Sequence, residues 1–343
     1  MDKTGLSLKD NSQLNQDKSN NKFKNLTNDF FLIQLFDHLH KTKVLEILRY
    51  NNHLQKRLNL SMKDYKDYYE TIEIDITPKI GIYGKFINIK KGDESYYHIY
   101  FDDNNEDIKR NNINKEDKVK KIKIIIYNKV KSFSQLFSSC ECIKTINFTK
   151  FYRGNIYNMS FMFFKCSSLE EINLTTFNSS KVKDMSGMFS NCSSLKEINL
   201  SNLKTNNVIN MYGMFYGCST LDDLDLSNFD TSKVKDMTGM FYGCSSLKKI
   251  NFSSFDTSNV TSMKSMFSWC IPLKEIDLSK FNTANVTNMF AMFSYCLSLK
   301  DIDLSNFNID KVTDMKSMFF AFSNEMKMKI KSQIKNIKEE AFN

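Results

Sequence analysis

Hydrophobic residues recur along most of the chain with a period of 26 positions. One unit carries nine apolar positions, and the next unit repeats each of them in the same order. In one such unit they are Leu169, Ile172, Leu174, Phe177, Val182, Met185, Met188, Phe189 and Cys192. A unit this short cannot bury so many apolar side chains alone, so the pattern predicts an array in which each unit covers the next.

The first part of each unit alternates between apolar and polar residues, which is typical of a strand. In the unit above, Ile172 and Leu174 are predicted to point inward, and Glu171, Asn173 and Thr175 are predicted to point outward. The strands of stacked units are expected to join into one parallel sheet.

The second part of each unit has helical spacing. Met185, Met188, Phe189 and Cys192 lie at i, i+3, i+4 and i+7, which predicts a two-turn helix after a turn closed by Phe177. The residue before each predicted helix is a good N-cap type. These residues are Asn158, Asp184, Asn210, Asp236, Ser262, Asn288 and Asp314. The fold class predicted is therefore an α/β solenoid with 26-residue strand-turn-helix units.

The chain outside the array follows other patterns. Residues 1–27 are polar and rich in Asn, Lys and Ser, which predicts a disordered lead. Helical spacing over 28–60 and period-2 patterns over 70–115 predict a small α+β N-terminal domain at 28–115. In its sheet, 86–89 and 96–101 are predicted to form a hairpin.

The repeats are assigned to 116–321, as seven full units after a partial one that starts near residue 120. Residues 322–343 are predicted to form an amphipathic helix that caps the array. Its apolar positions are Met326, Met328, Ile330, Ile334 and Ile337.

Seven of the eight cysteines follow the 26-residue period, and the eighth, Cys142, lies two residues from Cys140. All eight are predicted to be reduced, and the seven in the column are predicted to be buried side chains of the repeat core. Seven share one column, which Phe322 continues: Cys140, Cys166, Cys192, Cys218, Cys244, Cys270 and Cys296. Their spacing is not that of a metal site. The four histidines lie outside the array and there is no Gly-rich phosphate loop, so we expect no enzyme, no metal and no cofactor.

The net charge of +9 is concentrated in one stretch. Residues 109–131 contain nine Lys or Arg against Glu116 and Asp117. Solvated lysines that protect a strand edge explain this run better than nucleic-acid binding does, because Tyr127 is its one aromatic residue.

The outward strand positions carry the opposite charge. The first column of outward residues repeats the position of Glu171 every 26 residues, and the second column repeats the position of Asn173. Together these two columns contain eight carboxylates and Lys249. A concave face lined with one sign of charge favours oppositely charged partners, so these carboxylates are the predicted site for a protein or basic peptide. They are Glu171, Glu197, Asp223, Asp225, Glu275, Asp277, Asp301 and Asp303. The alternative is that the Asn/Asp and Ser/Thr columns bond to one another and solvate the sheet.

The repeat itself is specific enough to suggest a family. Units such as CSSLEEINLTTFNSSKVKDMSGMF at 166–189, with the recurring pattern V-x-x-M-x-x-M-F-x-x-C-x-x-L, resemble the BspA-like leucine-rich repeat proteins over about 120–321. The resemblance implies a leucine-rich-repeat solenoid with a role in surface adhesion or protein binding. Residues 28–60 resemble an F-box-like helical segment without its usual Leu-Pro start.

Three functions follow as expectations. The first is a non-enzymatic protein-interaction scaffold that uses the acidic concave face. The alternatives are a cell-surface adhesin of the BspA-like type and a ubiquitin-ligase substrate receptor that docks through 28–60. The polar first 25 residues lack the apolar core of a secretory signal, and no stretch has the length of a membrane span. We therefore expect a cytoplasmic location, with the cell surface as the alternative.

Overall fold

The computed structural model describes residues 47–48, 51–57, 70–102, 104–127 and 129–343. The chain divides into two units, Met1–Glu70 and Thr71–Asn343. The predicted lead at 1–27 and most of the predicted helical segment at 28–60 lie outside the described residues. The first unit contributes helix α1, Asn52–Arg57, in which Leu54 is buried.

The second unit consists mostly of strands and turns, with few helices. Its strands are β1 Ile72–Pro78, β2 Gly84–Lys85, β3 Tyr97–Phe101, β4 Asn112–Ile113, β5 Ile122–Ile126, β6 Ile143–Lys150, β7 Glu171–Asn173, β8 Asp223–Asp225 and β9 Lys249–Asn251. Its helices are α2, Asn324–Gln333, and the 3₁₀ segments Glu94–Tyr96 and Glu339–Phe342.

The largest sheet is mixed and has the strand order β3-β5-β1-β6-β7. Strand β1 is antiparallel to both β5 and β6, whereas β6 is parallel to β7. Because β7 belongs to the repeats, β6 joins the N-terminal sheet directly to the array. The sheet thus includes strands on both sides of residue 115.

The predicted hairpin between 86–89 and 96–101 is wrong. Strand β3 pairs with β5 instead, and the short strand β2 pairs with β4. Phe86 and Ile87 are consecutive and both fully buried, which does not suit a strand with one buried face. In β5, by contrast, Ile122, Ile124 and Ile126 alternate with less buried residues and supply the apolar partners that β3 needs.

The predicted alternation within the repeats is confirmed. Ile172 and Leu174 are buried, while Glu171, Asn173 and Thr175 are exposed. The predicted continuous parallel sheet is wrong, because parallel ladders between repeat strands form in two places among the described residues. These are β6 with β7 and β8 with β9.

The helix predicted in each unit is also wrong, since the segment forms a string of turns. The N–H of Met188 donates to the carbonyl of Met185 at 3.2 Å, an i to i−3 bond, whereas the N–H of Phe163 crosses to the carbonyl of Met188 in the next unit at 2.9 Å. Left-handed residues such as Gly187 (φ 57°) and Asn191 (φ 59°) interrupt any helix. Alternate amides are thereby free to bond between units, which a helix would not allow.

The residues predicted as N-caps form a bridge ladder along this side of the array. Seven successive parallel bridges run from Ser132 with Asn158 to Asn288 with Asp314. The Asn158 side chain accepts the amide of Ser160 at 2.8 Å, and Asp184 accepts that of Ser186 at 2.9 Å. These side chains therefore close Asx turns instead of capping helices.

Stacked phenylalanines run through the core. Successive rings lie 5.4 to 5.9 Å apart between centroids and are tilted by 3 to 11°. The stack consists of Phe137, Phe163, Phe189, Phe215, Phe241, Phe267, Phe293 and Phe319. Phe342 extends it at 5.7 Å from Phe319, so the end of the chain covers the last repeat.

The cysteines are buried and free, as predicted. The structure adds a hydrogen bond, because each thiol from the second repeat onward donates to a Phe carbonyl of the preceding unit. The Sγ of Cys218 lies 3.1 Å from the carbonyl of Phe189, and that of Cys244 lies 3.1 Å from Phe215. Burial raises the pKa of Cys218 to about 12, so the thiol stays protonated.

A second buried column also connects the units. The hydroxyl of Thr231, which is fully buried, donates to the carbonyl of Asp256 at 2.8 Å and accepts the amide of the same residue at 2.9 Å. The same paired bonds are made by Ser179, Thr205, Thr257 and Thr283. In the last unit the position is Ile309, where no further repeat needs a partner.

Helix α2 closes the C-terminal end. Its Gln333 side chain accepts the amide of Leu304 at 2.6 Å and donates to the carbonyl of Ile302 at 3.1 Å. The side-chain amide of Gln333 thus takes the place of the backbone C=O and N–H groups that a following repeat would supply to Leu304 and Ile302. No helix in the described part of the chain is long and apolar enough to span a membrane.

Candidate functional site

A groove of about 820 Å³ opens on the strand side of the later repeats. Six of the eight carboxylates predicted as the partner site line it together: Asp223, Asp225, Glu275, Asp277, Asp301 and Asp303. We call this the acidic groove. The other two, Glu171 and Glu197, border a separate cavity of about 290 Å³.

The floor of the acidic groove is apolar. It is formed by the strand residues that lie between the carboxylates, namely Leu224, Ile250, Ile276 and Ile302. Ile250 and Ile276 are only partly buried, so the groove offers hydrophobic surface between acidic walls. These floor residues were predicted as inward-facing core and not as part of the site.

The groove lies where the parallel ladder ends. In the register of β8 and β9, Asp223 faces Lys249, and β6 and β7 likewise place Glu171 opposite the neutral Thr145. Within the described residues, no strand ladder joins 275–277 to either neighbouring repeat. The first-column residues Glu275 and Asp301 carry like charges, which destabilise direct pairing across strands.

The second-column carboxylates also hold the backbone. The amides of the serines two residues further on donate to Asp225 at 3.0 Å, Asp277 at 2.9 Å and Asp303 at 2.9 Å. In three units without an aspartate the same bond is made by Asn173, Asn199 and Asn251. Each of these side chains therefore closes an Asx turn at the end of its strand segment, in addition to facing the groove or the solvent.

Hydrogen bonding keeps these carboxylates ionised. The amide of Ser227 lowers the pKa of Asp225, and the hydroxyl and amide of Ser279 lower that of Asp277. For Asp303, the amide of its neighbouring serine again lowers the pKa. The groove therefore carries negative charge throughout the physiological pH range.

Two lysines act on the first column. Lys249 is the single basic residue among those that line the groove. Lys329, from helix α2, pairs with Asp301 at 2.5 Å and lowers its pKa. The C-terminal helix thus shows that a lysine on an adjacent segment can approach this column.

Comparison with known proteins identifies the repeats. A family model described as "Mycoplasma protein of unknown function, DUF285" matches residues 131–248 and again 210–333, which together cover more than half of the chain. The chain belongs to this family. No curated protein and no solved structure matches it.

Both DUF285 matches lie in the array, so the acidic groove is part of the family's repeat region. The matches support a repeat protein in general. They do not extend to the N-terminal sheet strands β1 to β5.

The basic run of this DUF285 protein is partly neutralised by its own fold. Lys121 pairs with Asp75 at 2.8 Å and Lys123 with Glu73 at 3.1 Å, both across the β1–β5 ladder. Arg110 and Asp117 also pair, at 2.6 Å. These contacts give several basic groups of the run a structural role in the sheet.

The described residues include no cluster of three or more His, Cys, Asp or Glu side chains that could hold a metal ion. His98 contacts Asp107 at 2.7 Å, outside the acidic groove. The groove itself presents carboxylates, one lysine, and neutral residues such as Asn251 and Ser253, which suit ionic and polar recognition.

Proposed function

We propose that this DUF285 protein is a non-enzymatic interaction scaffold that binds a basic, extended segment of a partner protein in the acidic groove. The observation that carries the proposal is the convergence of six carboxylates from several repeats on one groove, although the whole chain has a net charge of +9. Single-sign lining of a groove concentrates oppositely charged partners and raises their association rate.

The chemistry of the groove narrows the partner further. Acidic walls with partly buried Ile250 and Ile276 between them suit a peptide in which basic and apolar side chains alternate. Such alternation is the natural two-residue period of an extended chain. Four repeats at roughly 4.8 Å each span about 14 Å, which accommodates roughly five extended residues.

The finer assignments belong to the same proposal. The array is a solenoid of the BspA-like leucine-rich-repeat type, and the protein acts in the cytoplasm. An adhesin at the cell surface is the alternative. The ubiquitin-ligase interpretation stays a prediction, because most of segment 28–60 lies outside the described residues.

Neutral variants can test the groove while the turns stay closed. Asp→Asn substitutions preserve the side-chain acceptor, and Asn occurs naturally in the second column at Asn173, Asn199 and Asn251. The test variant combines Asn at each groove aspartate with Glu275→Gln. The control carries six Asp→Asn changes outside the groove, at Asp184, Asp230, Asp236, Asp256, Asp310 and Asp314.

The probe is a fluorescein-labelled peptide of alternating Lys and Val, and the readout is fluorescence anisotropy. We expect saturable binding that weakens as salt rises, since ionic contacts at the surface are screened. Exposed ion pairs contribute about 0.2–1 kcal/mol each, so the groove variant should bind at least about tenfold more weakly. Equal affinity for the groove variant, or an equal loss in the control, would contradict the proposal.

A further inference from the structure

A second cavity, of about 300 Å³, lies on the turn side of the array and shares no lining residue with the acidic groove. We call it the aromatic trough. Its walls include Tyr242, Trp269, Tyr295 and Phe320, and serines such as Ser268 and Ser294 lie between these rings. No charged side chain lines it.

The trough lies where a column of stacked rings changes its register. Tyr216 and Tyr242 stack at 4.5 Å between centroids, and the next residue in their column, 26 positions on, is Ser268. One position along, Trp269 and Tyr295 stack at 4.1 Å.

The residue that precedes Trp269 in its column is Gly243, which has no side chain. Tyr242 is thus followed in its column by a serine, Ser268, and Trp269 is preceded in its column by a glycine, Gly243. Both aromatic residues border the trough. A ring-shaped ligand can therefore stack where neither column supplies an aromatic ring.

The rings are more exposed than aromatic core residues. Trp269 is 40% exposed and Phe320 is 37% exposed, whereas Phe241 and Phe267 in the core stack are fully buried. Exposed aromatic surface gathered in one place is typical of a binding site. Aromatic walls with a few polar groups are also typical of sites for small ligands.

We propose that the aromatic trough binds a neutral oligosaccharide. A sugar ring has an apolar C–H face that stacks on an aromatic ring, and hydroxyls at its edge that both donate and accept hydrogen bonds. Serine and tyrosine hydroxyls do the same, and the indole N–H of Trp269 adds a donor. The uncharged lining does not favour phosphate or carboxylate groups, which basic residues would recognise.

A peptide in the polyproline II conformation also docks on aromatic grooves, but its proline residues offer only carbonyl acceptors. Of the four serines of the trough, Ser265 and Ser317 are partly exposed, whereas Ser268 and Ser294 are buried. The Ser317 hydroxyl donates to the carbonyl of Asn343 at 2.6 Å and can still accept a bond, while Ser265 can both donate and accept. These groups match a ligand with both donors and acceptors better. The proposal is independent of the acidic groove and of the function assigned to it.

Trp269 makes the test direct, because it is the single tryptophan of the chain. The full chain is titrated with maltohexaose, cellohexaose and chitohexaose while tryptophan emission is recorded. Hexaproline and oligogalacturonate serve as the comparison ligands. We expect a saturable change in emission with at least one neutral oligosaccharide and none with the comparison ligands.

The variants separate the trough from the rest of the surface. Tyr242→Leu keeps an apolar side chain without the aromatic face, and Phe320→Ala removes a ring at another part of the trough. We expect each to weaken binding about tenfold while thermal unfolding confirms the fold. Tyr157→Ala is the control, because Tyr157 is 43% exposed and does not line the trough.

Trp269→Ala is followed by calorimetry, and binding should be lost. No response to any of the three neutral sugars overturns the proposal. A response to hexaproline alone, or unchanged affinity in both trough variants, overturns it as well.

Discussion

Replacing Thr231 by Val removes one hydroxyl and leaves the shape of the side chain almost unchanged. Thr231 is fully buried, and its hydroxyl makes two bonds to the backbone of Asp256 in the next repeat, at 2.8 and 2.9 Å. The substitution therefore tests whether buried hydroxyls hold successive repeats together.

The magnitude follows from these two bonds. A hydrogen bond contributes about 0.5–1.5 kcal/mol net, so the loss of both predicts a decrease of about 1–3 kcal/mol in the free energy of unfolding. In a stacked array each unit contacts its neighbours, so a weakened junction destabilises the repeats on both sides. For a chain of this size the melting temperature should fall by roughly 2–4 °C per kcal/mol.

The assay is urea unfolding followed by circular dichroism, with two controls. Thr231→Ser keeps the hydroxyl and loses a buried methyl, at a cost of about 0.8 kcal/mol. Thr175→Val changes an exposed threonine and should stay within about 0.5 kcal/mol of the parent. If Thr231→Val stays within about 0.5 kcal/mol of the parent, as Thr175→Val should, then the hydroxyl of Thr231 does not connect the repeats.

Three further predictions concern the turns, the cap and the groove. Gly187→Ala should lower the melting temperature more than Gly213→Ala. Both glycines have a left-handed backbone, but a Cβ at residue 187 would also overlap the ring of Phe161. Equal decreases in the melting temperature would contradict this. Gln333→Leu should speed hydrogen exchange at the amide of Leu304, which loses its acceptor, and unchanged exchange there would contradict the capping role. Binding of the Lys-Val peptide should persist at pH 5 and be lost only as the pH falls below 3.8, the ordinary pKa of aspartate, because hydrogen bonds lower the pKa values of the second-column aspartates in the folded protein. A loss of peptide anisotropy already at pH 5 would contradict this expectation.

The sign of this pH dependence also applies to stability. A carboxylate whose pKa is lower in the folded state stabilises the fold at neutral pH, and this contribution is lost as the pH falls through the folded pKa. Asp225 and Asp277 are such groups, because hydrogen bonds from serine favour their charged form.

The buried and exposed positions of each repeat strand could be predicted, because alternating apolar and polar residues indicate an extended segment with one buried face. Ile172 and Leu174 had to share a face, and Glu171 and Asn173 had to share the other. The acidic columns followed from the same argument.

The sequence predicted a helix where the structure has a string of turns, because both arrangements bury apolar residues at the same spacing. Met185, Met188 and Phe189 face inward in either case, so the apolar pattern does not distinguish them. The signal that could have done so is the recurring glycine at Gly187 and Gly213, since glycine favours the left-handed conformation that ends a helix.

The shape of the acidic groove depends on which repeats pair. Units of nearly identical sequence were expected to form one sheet, yet the ladder forms where Asp223 faces Lys249 and stops beyond β9. Lys249 therefore lies inside the groove, on the last strand of this ladder, and the carboxylates Glu275 and Asp301 continue beyond it. The sequence shows the lysine but does not show which strands pair on either side of it.

Hydrogen exchange of the full chain, with and without the Lys-Val peptide, shows where that peptide binds. We expect slower exchange at 275–278 and 301–304, where the peptide would lie in the acidic groove, and no change at the bridge ladder on the other side of the array. Peptide binding with protection confined to other segments, or with no protection at 275–278, would contradict this placement.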